Sequence, residues 1–78
     1  MNFLIESIPD EDDPQAEEPI GYLVNLVDED GTKLLTTFGD DYHDKGSYKA
    51  RAFCQGYAQA LGGTKINIEW QKTKLVTG

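Results

Sequence analysis

Only one stretch of this chain carries a sustained helical period, and the rest must fold around it. In YKARAFCQGYAQALGG, residues 48–63, the apolar positions Ala50, Phe53, Cys54, Tyr57, Ala58 and Leu61 recur at i, i+3, i+4 and i+7. That spacing lays one apolar stripe along one face, so the helix needs a single apolar partner surface. Ser47 or Asp44 is placed to cap its start, and Gly62-Gly63 to stop it. With 78 residues, 38% of them hydrophobic, the chain makes one domain with one small core.

The partner surface is written in period 2. Tyr22, Val24 and Leu26 alternate with Leu23, Asn25 and Val27, which predicts a strand with apolar residues partly on both faces. Asp28-Glu29-Asp30-Gly31 reads as a hairpin turn in which Gly31 supplies positive φ, and Thr32–Phe38 returns as a second strand. After the helix, Ile66, Ile68 and Trp70 alternate with Asn67, Glu69 and Gln71 as a last strand, which Leu75 and Val76 extend or follow as a short return. Residues 2–8, NFLIESI, form a short strand with Phe3 and Ile5 on one face and Leu4 on the other, read as an extra edge strand.

The expected fold class is α+β: a three- to four-stranded, mainly antiparallel sheet with one helix on one face, in the order hairpin, helix, strand. Residues 9–19, PDEDDPQAEEP, hold all three prolines and six acids, and read as an extended, mobile linker or arm. The organisation expected is a short strand at 1–8, an acidic arm at 9–19 and a single α+β domain over 20–78.

Several chemistries can be weighed and set aside. His43 lies in DDYHD, where carboxylates flank an imidazole, but a metal centre draws ligands from several elements and this is the one histidine. Asp28–Gly31 resembles a calcium loop faintly, with its glycine at the fourth position and no glutamate at the twelfth. Cys54 falls on the apolar stripe, where a free cysteine behaves as a small hydrophobe and not as a nucleophile served by His43. Gly62-Gly63 follows a helix instead of opening one, the wrong end for a phosphate. No enzyme, metal or cofactor is expected. A single cysteine excludes an intrachain disulfide framework. No apolar run approaches the roughly 18 residues of a membrane span. The first residues, MNFLIESIPDEDD, lack the basic n-region and apolar core of a signal peptide, so a cytoplasmic protein is expected.

Two surfaces remain as candidates for binding. The first is the outer face of the helix, with Tyr48, Ala52, Gln55, Gly56 and Gln59, and Ala60 on its flank. No charge occurs from Ala52 to Thr64 in a chain that is 27% charged. Gly56 costs about 1 kcal/mol against alanine in mid-helix, which fits close approach by another chain. The opposing explanation is an ordinary wet surface of Ala and Gln.

The second surface is acidic: Asp10, Glu11, Asp12, Asp13, Glu17, Glu18, Asp28, Glu29, Asp30, Asp40, Asp41 and Asp44. Residues 1–44 hold thirteen acids against Lys33, and residues 45–78 six bases against Glu69, within a net charge of -7. Dense carboxylates repel nucleic acid and attract the basic grooves that bind it. A solubilising arm with no partner is the plainer account. The bases Lys49, Arg51, Lys65, Lys72 and Lys74 have only Trp70 as an aromatic neighbour, so direct nucleic-acid binding is not expected. They serve to balance the acids or protect an edge strand from pairing.

A chain this short and acidic, with a hairpin, then the helix YKARAFCQGYAQALGG, then the strand KINIEW (65–70), resembles small phage proteins that inhibit host machinery. Anti-CRISPR proteins and a phage inhibitor of bacterial RNA polymerase share this style over residues 20–76. The resemblance implies a viral, non-enzymatic inhibitor in the bacterial cytoplasm. It would bind a host protein or ribonucleoprotein complex with a basic groove, a Cas effector in the specific version. The alternative is a small cellular or prophage accessory domain that self-associates as a homodimer through the helix or the last strand, its acidic arm serving solubility.

Overall fold

A computed structural model describes residues 1–10, 12–13, 19–40, 45–63 and 65–72. Four strands, β1 (Asn2–Ile8), β2 (Gly21–Asp28), β3 (Gly31–Gly39) and β4 (Asn67–Lys72), form one sheet with helix α1 (Gly46–Ala60) laid over it. Their order is β3-β2-β1-β4. β1 pairs antiparallel with β2 and β2 antiparallel with β3, while β1 pairs parallel with β4. The expected α+β class therefore holds, as a mixed sheet with one parallel junction.

The pairing register explains the core. Phe3 lies opposite Leu26 and Ile68, and Ile5 opposite Val24 and Trp70, so the apolar halves of three strands share the face under the helix. The helix brings Ala50, Cys54 and Ala58 down onto that face. Phe3, Ile5, Val24, Ala50 and Cys54 form the buried centre, each at most 1% exposed. Around it pack Tyr22, Leu26, Leu35, Phe38, Phe53, Tyr57, Ile66 and Ile68. Edge-to-face rings link Phe3 to Tyr57 and Tyr22 to Trp70, and Phe53 stacks on Tyr57. Full burial of a side chain such as Ile5 stabilises the fold by about 1.5–3 kcal/mol.

β1 departs from the expectation of an added edge strand. It is an interior strand and supplies two of the largest fully buried side chains, Phe3 and Ile5. It needs both neighbours because Phe3 and Ile5 can be covered from either side only when strands flank them. The hairpin is as expected: Gly31 has φ 123°, and the Asp28 carboxylate accepts the Asp30 N–H at 2.8 Å. A register shift at Val24/Asn25 marks a bulge, which frees Leu35 to join the core.

The helix ends differ from expectation at the start and agree at the finish. Lys45 is the N-cap residue and makes no side-chain capping bond, so Ser47 does not cap, and Asp44 lies outside the described residues. The Asp40 carboxylate instead accepts the Gly46 N–H at 2.8 Å from the end of β3. A side chain at Gly46 has no room: a Cβ there would lie 2.5 Å from the Gly39 carbonyl oxygen and 2.9 Å from the Tyr22 ring. At the finish, Gly62 takes φ 78° and donates to the Gln59 carbonyl at 3.0 Å, while Gly63 donates to Ala58 at 2.7 Å. Those two bonds make a Schellman stop. Leu61 completes the helical spacing in sequence but stands 61% exposed, because it is already the C-cap residue and has turned off the core face.

Candidate functional site: the outer helix face and the two ends of the sheet

Strand directions sort the loops to two ends of the sheet. At one end β1 finishes, β2 begins, β3 finishes, the helix starts and β4 finishes. At the other lie the Asp28–Gly31 turn, the end of the helix and the start of β4. Eight residues of β2 at roughly 3.3 Å each separate the two ends by about 25 Å.

The acidic candidates therefore do not form one array. Asp10, Asp12, Asp13 and Asp40 gather at the first end, and Asp28, Glu29 and Asp30 at the second. Glu11, Glu17, Glu18, Asp41 and Asp44 lie outside the described residues, as does His43. Three of the acids also hold local structure. Asp10 accepts the Asp12 N–H through its carboxylate at 2.9 Å and the Asp13 N–H through its carbonyl at 3.2 Å. Asp28 and Asp40 serve the hairpin turn and the helix start as described. Asp10 thus holds Asp12 and Asp13 in a local turn, while residues 11 and 14–18 of the expected arm lie outside the described residues. Asp12, Asp13, Glu29 and Asp30 are exposed and free of such duty to a backbone N–H through their own carboxylates among the described residues.

The bases are distributed in the same way. Lys45, Lys49 and Lys72 sit toward the first end and Lys33 and Lys65 toward the second. The charge division so sharp along the sequence is undone in space, because the last strand returns beside the first. Each end carries both signs.

Between these ends runs the outer side of α1. Tyr48 is 76% exposed, and Ala52, Gln55, Gly56, Gln59 and Ala60 are all exposed. A Cβ at Gly56 would meet nothing within 4 Å, so the glycine serves no packing inside this molecule. The helix face predicted from sequence is thus assembled as expected, while the acids that were to surround it are parted. Cys54 is fully buried, and burial pushes its thiol above its ordinary value despite an opposing backbone hydrogen bond. That is a packing cysteine and not a thiolate nucleophile.

Two features were not singled out from sequence. Asn25 is 6% exposed and sits on the sheet face away from the helix, donating through its amide to the Leu4 carbonyl and to Glu6 Oε1, both at 3.0 Å. Polar alternation in strand β2 was visible, but the partner of Asn25 is set by a strand twenty residues away. The same face carries Leu4, Leu23, Val27 and the 53% exposed Leu34, with no covering layer among the described residues. Trp70 is the second: it alternates with Ile66 and Ile68 along the last strand, yet it is 49% exposed at the margin of the helix face. No helix among the described residues is long and apolar enough to cross a membrane.

Compared with protein-family models, curated proteins and solved structures, the chain matches none.

Proposed function

We propose that this chain is a non-enzymatic binding protein that docks on the basic groove of a nucleic-acid-handling complex and blocks it. In the specific version it is a phage-derived anti-CRISPR protein acting on a Cas effector in the bacterial cytoplasm. The observation that carries the reading is the exposed outer side of α1 from Ala52 to Ala60, which bears no charge and is set between two ends that each present exposed carboxylates. A dry centre with a charged rim is the anatomy of a protein-binding patch. Tyr48 is the natural anchor, since aromatic side chains dominate binding energy. The carboxylates steer the encounter with a cationic groove and compete there with phosphates.

The experiment is capture from bacterial lysate on the immobilised chain, with bound proteins identified by mass spectrometry, followed by nuclease assays on a panel of purified Cas effectors. Wild type is compared with Asp12→Lys/Asp13→Lys and with Gly56→Leu. The expected result is a captured nucleic-acid-binding complex that is displaced by added DNA or RNA and lost in both variants. Capture indifferent to the variants and to nucleic acid sinks the reading. A second reading, a self-associating accessory domain whose acidic segment serves solubility, is favoured by the outer edge of β4, which no strand among the described residues pairs.

A further inference from the structure

We infer that β4 is a self-complementary edge through which two copies of this chain join their sheets into one of eight strands. The backbone geometry leads to this. Asn67 donates its N–H to the Met1 carbonyl at 2.9 Å, toward β1, and it pairs in register with Asn2. A strand turns its N–H and C=O to alternate sides at successive residues, so Glu69 and Gln71 also face β1. Ile68, Trp70 and Lys72 consequently turn both backbone groups outward, and no strand among the described residues pairs with that side.

Two-fold symmetry narrows the register. For two such edges to form a continuous sheet with both helices on one side, the axis stands perpendicular to the sheet and each residue faces one of its own parity. Centring the axis on Trp70 places Trp70 opposite its copy, and Ile68 opposite Lys72 in both directions. All of these are outward-facing residues, so each pair exchanges two hydrogen bonds as an antiparallel ladder requires. Shifting the axis to Glu69 would oppose two like charges, and it would set inward-facing groups against each other.

Side chains agree with this register. Trp70, 49% exposed and resting edge-on against Tyr22, would be covered by its copy. Each Lys72 would lie along Ile68 of the other copy, with its ammonium diagonal to Trp70, a cation–π arrangement. The strand itself is neutral, with Glu69 and Lys72, so two copies that meet there bring no net charge together in a chain of net charge -7. The other edge, β3, is unlike it: the β2–β3 ladder is bulged, and β3 runs between the Asp28–Asp30 acids and Asp40. Its acids would meet acids across a two-fold axis. The dimer is independent of the inhibitor reading, since the β4 edge leaves free the outer side of α1 on which that reading rests.

The test is sedimentation velocity from micromolar to millimolar concentration, paired with backbone amide exchange by NMR on the full chain. The wild type is expected to dimerise with increasing concentration. The Ile68, Trp70 and Lys72 amides should gain protection in step, while those of Asn67, Glu69 and Gln71 are protected already in dilute solution. Trp70→Lys opposes two ammonium groups at the axis and is expected to weaken the dimer by about tenfold or more. Lys72→Pro removes an outward N–H while sparing the bonds to β1, and should weaken it with the monomer fold retained by circular dichroism. A monomer at all concentrations overturns the proposal. So does a dimer that survives both variants, or one in which the three outward amides stay unprotected.

Discussion

Gly46 shows how strongly a single position can be fixed by close approach. In an open helix, replacing glycine by alanine stabilises by up to about 1 kcal/mol. Here the new methyl group would press on the Gly39 carbonyl oxygen and the Tyr22 ring, where the helix start, β3 and β2 converge. Gly46→Ala is expected to destabilise by about 1–3 kcal/mol, read from urea unfolding midpoints. Cys54 makes a second prediction, on pH. Burial raises its pKa above the ordinary 9.0, so the folded state disfavours the thiolate. Below that pH both folded and unfolded chains keep the proton and the contribution to stability is intact. Above it the unfolded chain ionises first, and stability falls as pH climbs toward the folded value. Cys54→Ala should lower stability at pH 7 yet flatten its decline above pH 9 in denaturation curves. The native thiol should also resist an aromatic disulfide reagent at neutral pH until denaturant is added. Rapid labelling of the folded chain would contradict its burial.

At the level of elements, Gly56 is the counterpart to Gly46. It lies mid-helix with open space where a side chain would go, so Gly56→Ala should raise stability by about 0.5–1 kcal/mol. If a partner approaches the helix closely there, Gly56→Leu should leave the fold intact and abolish capture, which separates contact from scaffolding in one pair of measurements. Helix α1 and the β2–β3 hairpin were legible from sequence because their signals are local: a 3.6 period, a double-glycine stop and an acidic turn closing on Gly31. The place of β1 was not. Phe3 and Ile5 announce a strand, but its neighbours are chosen by β2 and β4, and the acidic segment after it resembles a break between units. The cap of α1 escaped for a similar reason. Asp40 reaches Gly46 across a loop, where a local pattern would look to the residue next to the helix. Leu61 kept its period in sequence but is already the C-cap residue, and Trp70 kept its own on the edge strand β4, away from β2 and β3 over which the helix lies.

For the molecule as a whole, topology overrides the arrangement of charge along the chain. Parallel pairing of β4 with β1 carries the basic half back beside the acidic half, and the exposed acids part into two groups about 25 Å apart. That separation is about three Debye lengths at physiological ionic strength, so each group acts on a partner independently. Asp12→Lys/Asp13→Lys and Glu29→Lys/Asp30→Lys should therefore reduce association rates with a basic partner additively in free energy. Each pair should also lessen the salt dependence, as stopped-flow mixing over a salt series can measure. These four positions spare Asp10, Asp28 and Asp40, whose oxygens hold turns and the helix start, so lost binding there is not lost folding.

The register that joins Asn2–Ser7 to Asn67–Lys72 also sets an order of events during synthesis. β1, an interior strand of the finished sheet, is made before both of its neighbours, and β4 follows every other described element. Until β4 emerges, a nascent chain can pair β1 only with β2, and its other side is a bare edge bordered by Phe3 and Ile5. Closing it requires contact across nearly the full described length, a slow step for so small a protein. Ribosome pausing before Asn67, or proteolysis there, would thus release a chain primed to add strands from its neighbours.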